Sequence, residues 1–210
     1  MSSSNSLYKY ISLYDESSSF SNKKAIELVT EKDLNKKLPD SKLTVFCKIC
    51  SIPKANVALF KKCFDVDYNL FHTISKCNFL NYLCKYQKDI EVFKVFLENG
   101  ALKYIDIWVK SLFKYCNNDI IKLCIDTEGL KINYIKDEND EDNSYLHILC
   151  QRNDLSHEVY ELALKKINKP DELENYLLYD KNRNGRTPIN ILFNKNLSKL
   201  LLYILRNKSN

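Results

Sequence analysis

Glycine is nearly absent from this chain. It occurs three times in 210 residues, at Gly100, Gly129 and Gly185. A phosphate-cradling loop needs glycines close together so that backbone amides can approach the anion. Neither G-x-G-x-x-G nor G-K followed by Ser or Thr is present, which excludes nucleotide chemistry of those kinds. So little glycine also speaks against a β-sandwich. No run of about 18 apolar residues occurs, so no membrane-spanning helix is expected. The first six residues, MSSSNS, lack the basic and apolar regions of a secretory signal and the glycine that myristoylation requires. A cytoplasmic protein is expected, in a reducing compartment. Its eight cysteines then read as small buried side chains rather than disulfides. A basic helix and an aromatic RNA-binding signature are missing too. The net charge of +5 comes from Lys and Arg interspersed with Asp and Glu, which describes a mildly basic solvated surface. No nucleic-acid partner and no membrane partner are expected.

What the chain does have is apolar periodicity. Apolar residues make up 45% and charged residues 28%, a balance that excludes disorder as the overall state. The length suits one domain or a short repeat array. In IEVFKVFLENGA, Ile90 to Ala101, the side chains of Ile90, Phe93, Phe96 and Leu97 fall on one helical face. Gly100 then supplies the left-handed residue that commonly closes a helix. Short apolar segments recur ahead of such stretches: FCKIC ending at Cys50, LNYLC at Cys84, LFKYC at Cys116, LHILC at Cys150 and INILF at Phe193. The steps between them are 34, 32, 34 and 43 residues. The segments that follow, from KANVALFKKCF to SKLLLYILRN, keep the same phase. A period of about 33 residues built from a turn and two helices predicts a stack of helix pairs.

These residues resemble the ankyrin family. NGRTPINILF, Asn184 to Phe193, stands beside the family's G-x-T-P-L-H-x-A-A. Thr187 can cap the helix, Pro188 suits its first turn, and Gly185 sits in a tight turn where a positive φ is cheap only for glycine. At the threonine position the other copies carry Thr44, Asn78, Lys110 and Ser144. At the histidine position they carry Cys47, Asn81, Phe113 and His147, with Asn190 in the last. Gly100 and Gly129 fall where the family's second helix ends, and LKIN follows Gly129 where the family has A-D-V-N.

The resemblance implies an all-α fold, an ankyrin-repeat solenoid of degenerate helix-turn-helix units over residues 42–210, about five of them. An insertion near Asn168 to Tyr176 is expected as a loop. Residues 1–41 are expected as a tail and a divergent helical cap, with KKAIELVTEKDLNKKL forming a helix capped at Ser21. The richness in Asn, Ile, Lys and Tyr, and the insert itself, look like the ankyrin proteins of poxviruses. Many of those carry a C-terminal F-box-like segment that recruits a ubiquitin ligase. With about 17 residues after Phe193 that segment is not expected here, which points to a short ankyrin-only member. Such a resemblance implies a monomer that binds a host protein, as a host-range or innate-immunity modulator, with no enzymatic activity and no cofactor. The alternative is a substrate adaptor for a cullin-type ubiquitin ligase.

Chemistry-bearing motifs are sparse. Cys47 and Cys50 form a C-x-x-C, the half-site of a zinc centre or a redox pair. No second C-x-x-C and no H-x-x-x-H accompanies it, so packing is expected and no metal. Of His72, His147 and His157 only His147 has a role from the motif, where the family histidine makes structural hydrogen bonds. Convergent catalytic partners are not visible for any of the three. KDENDED, Lys136 to Asp142, lacks the glycine and final glutamate of a calcium loop. It reads as a solvated loop tip or as a contact for a basic partner. Trp108, the single tryptophan, is either tucked against a neighbouring repeat or an exposed aromatic anchor. By register the tips lie near Lys103–Trp108, Asp137–Asp142 and Lys181–Asn184. The expected partner-binding residues are therefore Lys103, Tyr104, Asp106, Trp108, Asp137, Asp140, Asp142, Lys181 and Arg183.

Overall fold

The computed structural model describes residues 6–15, 19–39, 43–73, 79–134, 136 and 141–193. Among them the protein is all-α. Extended pairing is limited to two isolated bridges, Lys37 with Thr44 and Ile132 with Ile167. The chain divides into two compact units, Met1–Tyr104 and Ile105–Asn210.

The first unit contains α1 (Leu7–Ser12), α2 (Asn22–Leu28), α3 (Glu31–Leu34), α4 (Val45–Cys50), α5 (Val57–Val66), α6 (Leu70–Thr73), α7 (Phe79–Tyr86) and α8 (Ile90–Glu98), followed by a 3-10 turn over Ala101–Tyr104. Polar caps start the helices. The side chains of Ser21, Thr44 and Asn56 accept the backbone N–H of Lys24, Cys47 and Leu59, groups that have no partner inside the helix. The helix expected from Lys23 onward ends early, at Leu28. Val29 is extended, and Thr30 caps a new short helix by accepting from the N–H of Asp33. Glu31 and Asp33 in its first turn favour a restart there, because the helix N-terminus carries partial positive charge. Helices pack like on like: α1 on α4 and α4 on α7 in a first row, α2 on α5 and α5 on α8 in a second. Between the rows lies a phenylalanine core. The Phe96 ring centroid is 5.1 Å from Phe64, 5.2 Å from Phe60 and 6.1 Å from Phe46, the spacing of favourable aromatic pairs.

The second unit contains α9 (Ile105–Tyr115), α10 (Asn118–Ile125), α11 (Tyr145–Gln151), α12 (His157–Lys165), α13 (Leu173–Leu178) and α14 (Pro188–Phe193). Here α9 packs on α11 and α11 on α14, while α10 packs on α12. Two expectations are corrected. The turn expected over Lys103–Trp108 is instead the 3-10 segment and the first turn of α9. Ile105, Trp108, Val109, Leu112 and Phe113 recur at steps of three and four and are all buried. That stripe extends the helix back from Lys110 to Ile105. The insertion near Asn168 to Tyr176 is also helical, as a 3-10 turn over Pro170–Glu172 running into α13. All three glycines have left-handed backbone, with φ of 93° at Gly100, 73° at Gly129 and 70° at Gly185.

One device occurs in both units. Asn22, the first residue of α2, donates from Nδ2 to the carbonyl of Lys54 at 2.8 Å and accepts from the N–H of Asn56 at 3.0 Å. Asn118, the first residue of α10, donates to the carbonyl of Asp154 at 3.2 Å and accepts from the N–H of Ser156 at 3.0 Å. Each amide bridges its own helix start to the cap of the next second-row helix. The first rows are tied similarly. Gln87 Nε2 donates to the Ile52 carbonyl at 2.5 Å. Arg152 Nη1 donates to the carbonyls of Phe113 and Cys116 at 2.7 and 2.6 Å, capping the end of α9.

Candidate functional site

A polar cluster of the second unit forms where residues 132–134, 136 and 141–144 meet the segment 179–187. His147 anchors its base. Ser144 caps α11, and its N–H and hydroxyl both lie against His147 Nδ1, at 3.2 and 2.8 Å. Since Nδ1 accepts from that N–H, the ring proton sits on Nε2, which donates to the Arg186 carbonyl at 3.1 Å. Burial is the largest influence on this ring and holds its pKa below the usual value. His147 is therefore a neutral structural link between α11 and the turn ahead of α14. Beside it, Asn182 Nδ2 donates to Asn143 Oδ1 at 2.9 Å. On the other side of that turn Thr187 accepts from the N–H of Asn190 at 3.2 Å.

Further out, acidic and basic residues neutralise each other. Arg183 donates from Nε to the Asp142 carboxylate at 3.0 Å and from its backbone N–H to the Glu141 carbonyl at 2.9 Å. Asn184 Nδ2 reaches Glu141 Oε2 at 2.9 Å. Glu141 and Asp142 are both left-handed, with φ of 53° and 55°, a conformation costly for residues with a Cβ. The contacts from Arg183 and Asn184 hold it. Lys136 donates to the Lys181 carbonyl at 2.9 Å and pairs with Asp180. Asp180 also accepts from the Tyr134 hydroxyl. The Tyr134 ring lies flat on Tyr176 of α13, 3.9 Å between centroids.

Of the nine expected residues, Trp108 is a correction. It is 1% exposed, in the core of α9, so its ring cannot anchor a partner at the surface. Tyr104 is half-buried and stacks on Phe71 at 5.5 Å. Asp106 accepts from the Asn133 backbone N–H at 2.9 Å and from its Nδ2 at 2.5 Å. Lys103 and Lys181 are exposed. Asp142 and Arg183 are brought together as an ion pair. Asp137 and Asp140 lie outside the described residues.

No family model, no curated protein and no solved structure matches this chain.

The internal geometry therefore carries the reading by itself. Two features of the cluster were not anticipated. Asn168 Nδ2 donates to Asn133 Oδ1 at 2.8 Å, and Ile132 and Ile167 pair beside them. The sequence signal was visible in the recurrence of K-I-N at Lys131–Asn133 and Lys166–Asn168. The bridging asparagines Asn22 and Asn118 also had a signal, each standing directly after a capping residue, Ser21 and Asn117. The thiols are placed for packing. Cys47 and Cys50 are fully buried, and burial, with Cys47 and Cys63 nearby, pushes the Cys50 thiol well above its usual range. A thiolate, the form that attacks disulfides and binds metals, is disfavoured there. Among the described residues no three His, Cys, Asp or Glu side chains converge as a metal site, and no helix is long and apolar enough to cross a membrane.

Proposed function

We propose that this chain is a protein-interaction scaffold of the ankyrin type, which acts by occupying a surface of another protein. The carrying observation is the repeated asparagine bridge. Asn22 and Asn118 make the same two-sided link from one second-row helix start to the next, and helices stack like on like around them. Stacked helix pairs of this kind present first-row faces and loop tips to solvent, surface that suits an extended partner. The likeness to poxviral ankyrin proteins supports a host protein as the partner, and modulation of host range or innate immunity follows from the same likeness.

The test is capture of partners from mammalian cells expressing the tagged chain. One protein should be recovered reproducibly. Charge reversal at the second unit's tip, Lys181→Glu with Arg183→Glu, should weaken its recovery. Exchange on the exposed back of α8, Lys94→Glu with Glu98→Lys, should not. Loss through the α8 pair alone would place the contact on α8 of the first unit and sink this assignment. A cullin-complex component among the recovered proteins would favour the adaptor reading over simple occupation.

A further inference from the structure

The first-row helices of the first unit have a composition unlike the rest of it. Residues 1–104 hold 16 Lys and Arg against 11 Asp and Glu. None of those 11 carboxylates is on α1, α4 or α7, whose sequences are LYKYIS, VFCKIC and FLNYLCKY. Each of the three helices carries one lysine: Lys9 and Lys85 are exposed and Lys48 is half-buried. Tyrosines stand between them. Lys48 Nζ lies 5.9 Å from the centroid of Tyr14, just past the end of α1, and Lys85 Nζ lies 5.1 Å from that of Tyr86. Tyr82 and Tyr86 stack on the same helix at 6.5 Å. From α2, Lys24 Nζ sits 5.0 Å from the centroid of Tyr10. The nearest acidic residues in sequence are Asp15, beyond α1, and Asp89. Asp89 caps α8 and is engaged with the N–H of Glu91 at 2.9 Å.

Because α1 packs on α4 and α4 on α7, the three helices form one surface, with neighbouring axes about 8–10 Å apart. None of the three lysines makes an ion pair among the described residues. Such a row attracts negative charge; none of its three helices carries a carboxylate, and Asp33 of α3, which packs on α1 and α4, is already engaged by Lys36 at 3.0 Å.

We infer that the face formed by α1, α4 and α7 is the docking surface for an acidic polypeptide segment of the partner. This rests on the scaffold reading and adds the partner's chemistry to it. A polypeptide fits better than nucleic acid for two reasons. Nucleic-acid footprints neutralise about 6–10 phosphates, and this row offers three lysines. The faces of Tyr14 and Tyr86 are already covered by ammonium groups, whereas bases would need them free for stacking. A carboxylate can take the ammonium group while its alkyl stem stays on the ring.

The experiment uses the whole chain and three fluorescent probes: a short oligo-glutamate peptide, an oligo-lysine peptide and a single-stranded oligothymidylate. Binding is read by anisotropy at low salt. The oligo-glutamate peptide should bind and the oligo-lysine peptide should not. Lys48→Glu with Lys85→Glu should weaken oligo-glutamate binding at least about tenfold, or about 1.4 kcal/mol. The milder Lys48→Gln with Lys85→Gln should give a smaller loss in the same direction. A control of equal charge change on the second row, Lys23→Glu with Lys61→Glu, should change binding less than about twofold. Circular dichroism and the urea midpoint identify any variant that has lost its fold, in which case the glutamine pair decides. Equal losses in both charge-reversed pairs would mean that net charge alone governs binding, and the inference fails. It fails also if oligothymidylate binds more tightly and is lost with the same pair. If a partner captured from cells is retained undiminished by the Lys48→Glu, Lys85→Glu chain, the scaffold reading stands and this face is not its docking surface.

Discussion

At the scale of single residues, His147 and Tyr145 illustrate opposite uses of a buried polar group. His147 has both ring nitrogens engaged, and burial lowers its pKa. The folded state therefore resists a proton that the unfolded chain accepts. Stability from this site is complete above the unfolded value of about 6.5 and is lost progressively as pH falls below it. Melting followed through the buried Trp108, the single tryptophan, should show that loss between about pH 7.5 and about pH 5. His147→Ala should cost about 1–3 kcal/mol by stranding the Ser144 N–H and the Arg186 carbonyl. It should also flatten the acid slope; an unchanged slope would remove His147 as its source. Tyr145 is 1% exposed, and its hydroxyl has no partner among the described residues. Tyr145→Phe deletes an unsatisfied donor without changing the ring, and should raise stability by about 1 kcal/mol. A drop in urea midpoint would mean that the hydroxyl is hydrogen-bonded after all. Much at this scale was legible in the sequence. Thr187 and Ser21 cap helices and His147 makes structural hydrogen bonds, because caps and turns depend on chemistry within a few residues. Trp108 was not settled, because motif register puts it in a turn and leaves open whether its ring is tucked in or exposed. Its burial with Ile105, Val109 and Leu112 shows that the fold follows their apolar stripe instead.

At the scale of elements, the second-row bridges are the joints between successive pairs. Asn118 contributes two hydrogen bonds, to the Asp154 carbonyl and from the Ser156 N–H. Asn118→Ala should lower stability by about 1–2 kcal/mol, and Asn118→Asp should restore only the accepting half. Urea titration reads both; no change in either would make the bridge incidental. The asparagine bridges were hard to see in the sequence, because one residue type at one helix start carries no periodicity of its own. The insertion near Asn168 to Tyr176 is expected as a loop because solenoids place their extra residues in loops. Yet Leu173, Tyr176 and Leu177 share a face, Leu177 is buried, and α13 packs on α14. The break between α2 and α3 shows the reverse case, in which Thr30 and two following acids end a continuous-looking pattern.

At the scale of the whole molecule, charge is unevenly shared. Residues 105–210 hold 16 basic and 16 acidic side chains, so the entire excess of +5 lies in residues 1–104. Association through the first unit should weaken steeply as salt rises from about 50 to about 200 mM, since exposed charges are screened over about 10 Å at 0.1 M. Contacts at the Asp142–Arg183 tip are already internally paired and should respond little. A salt-insensitive partner would point to the second unit. The all-α class was legible from the recurrence of paired amphipathic segments. The division after Tyr104 was not, because the apolar period runs across it with a step of 32 residues between Cys84 and Cys116, close to its neighbours at 34.

The buried thiols give each unit its own clock. Cys47, Cys50, Cys63 and Cys84 lie in the first, and Cys116, Cys124 and Cys150 in the second, all buried and none in a disulfide. An alkylating reagent reaches such a thiol only when the surrounding helices part, so the rate at which each cysteine is modified measures how often its own neighbourhood opens. Mass spectrometry after timed labelling would resolve the units without any engineered probe. Thiols within a unit should be modified in concert if its pairs open as one body. A graded order along α4, α7 and their neighbours would reveal fraying from one end of the stack.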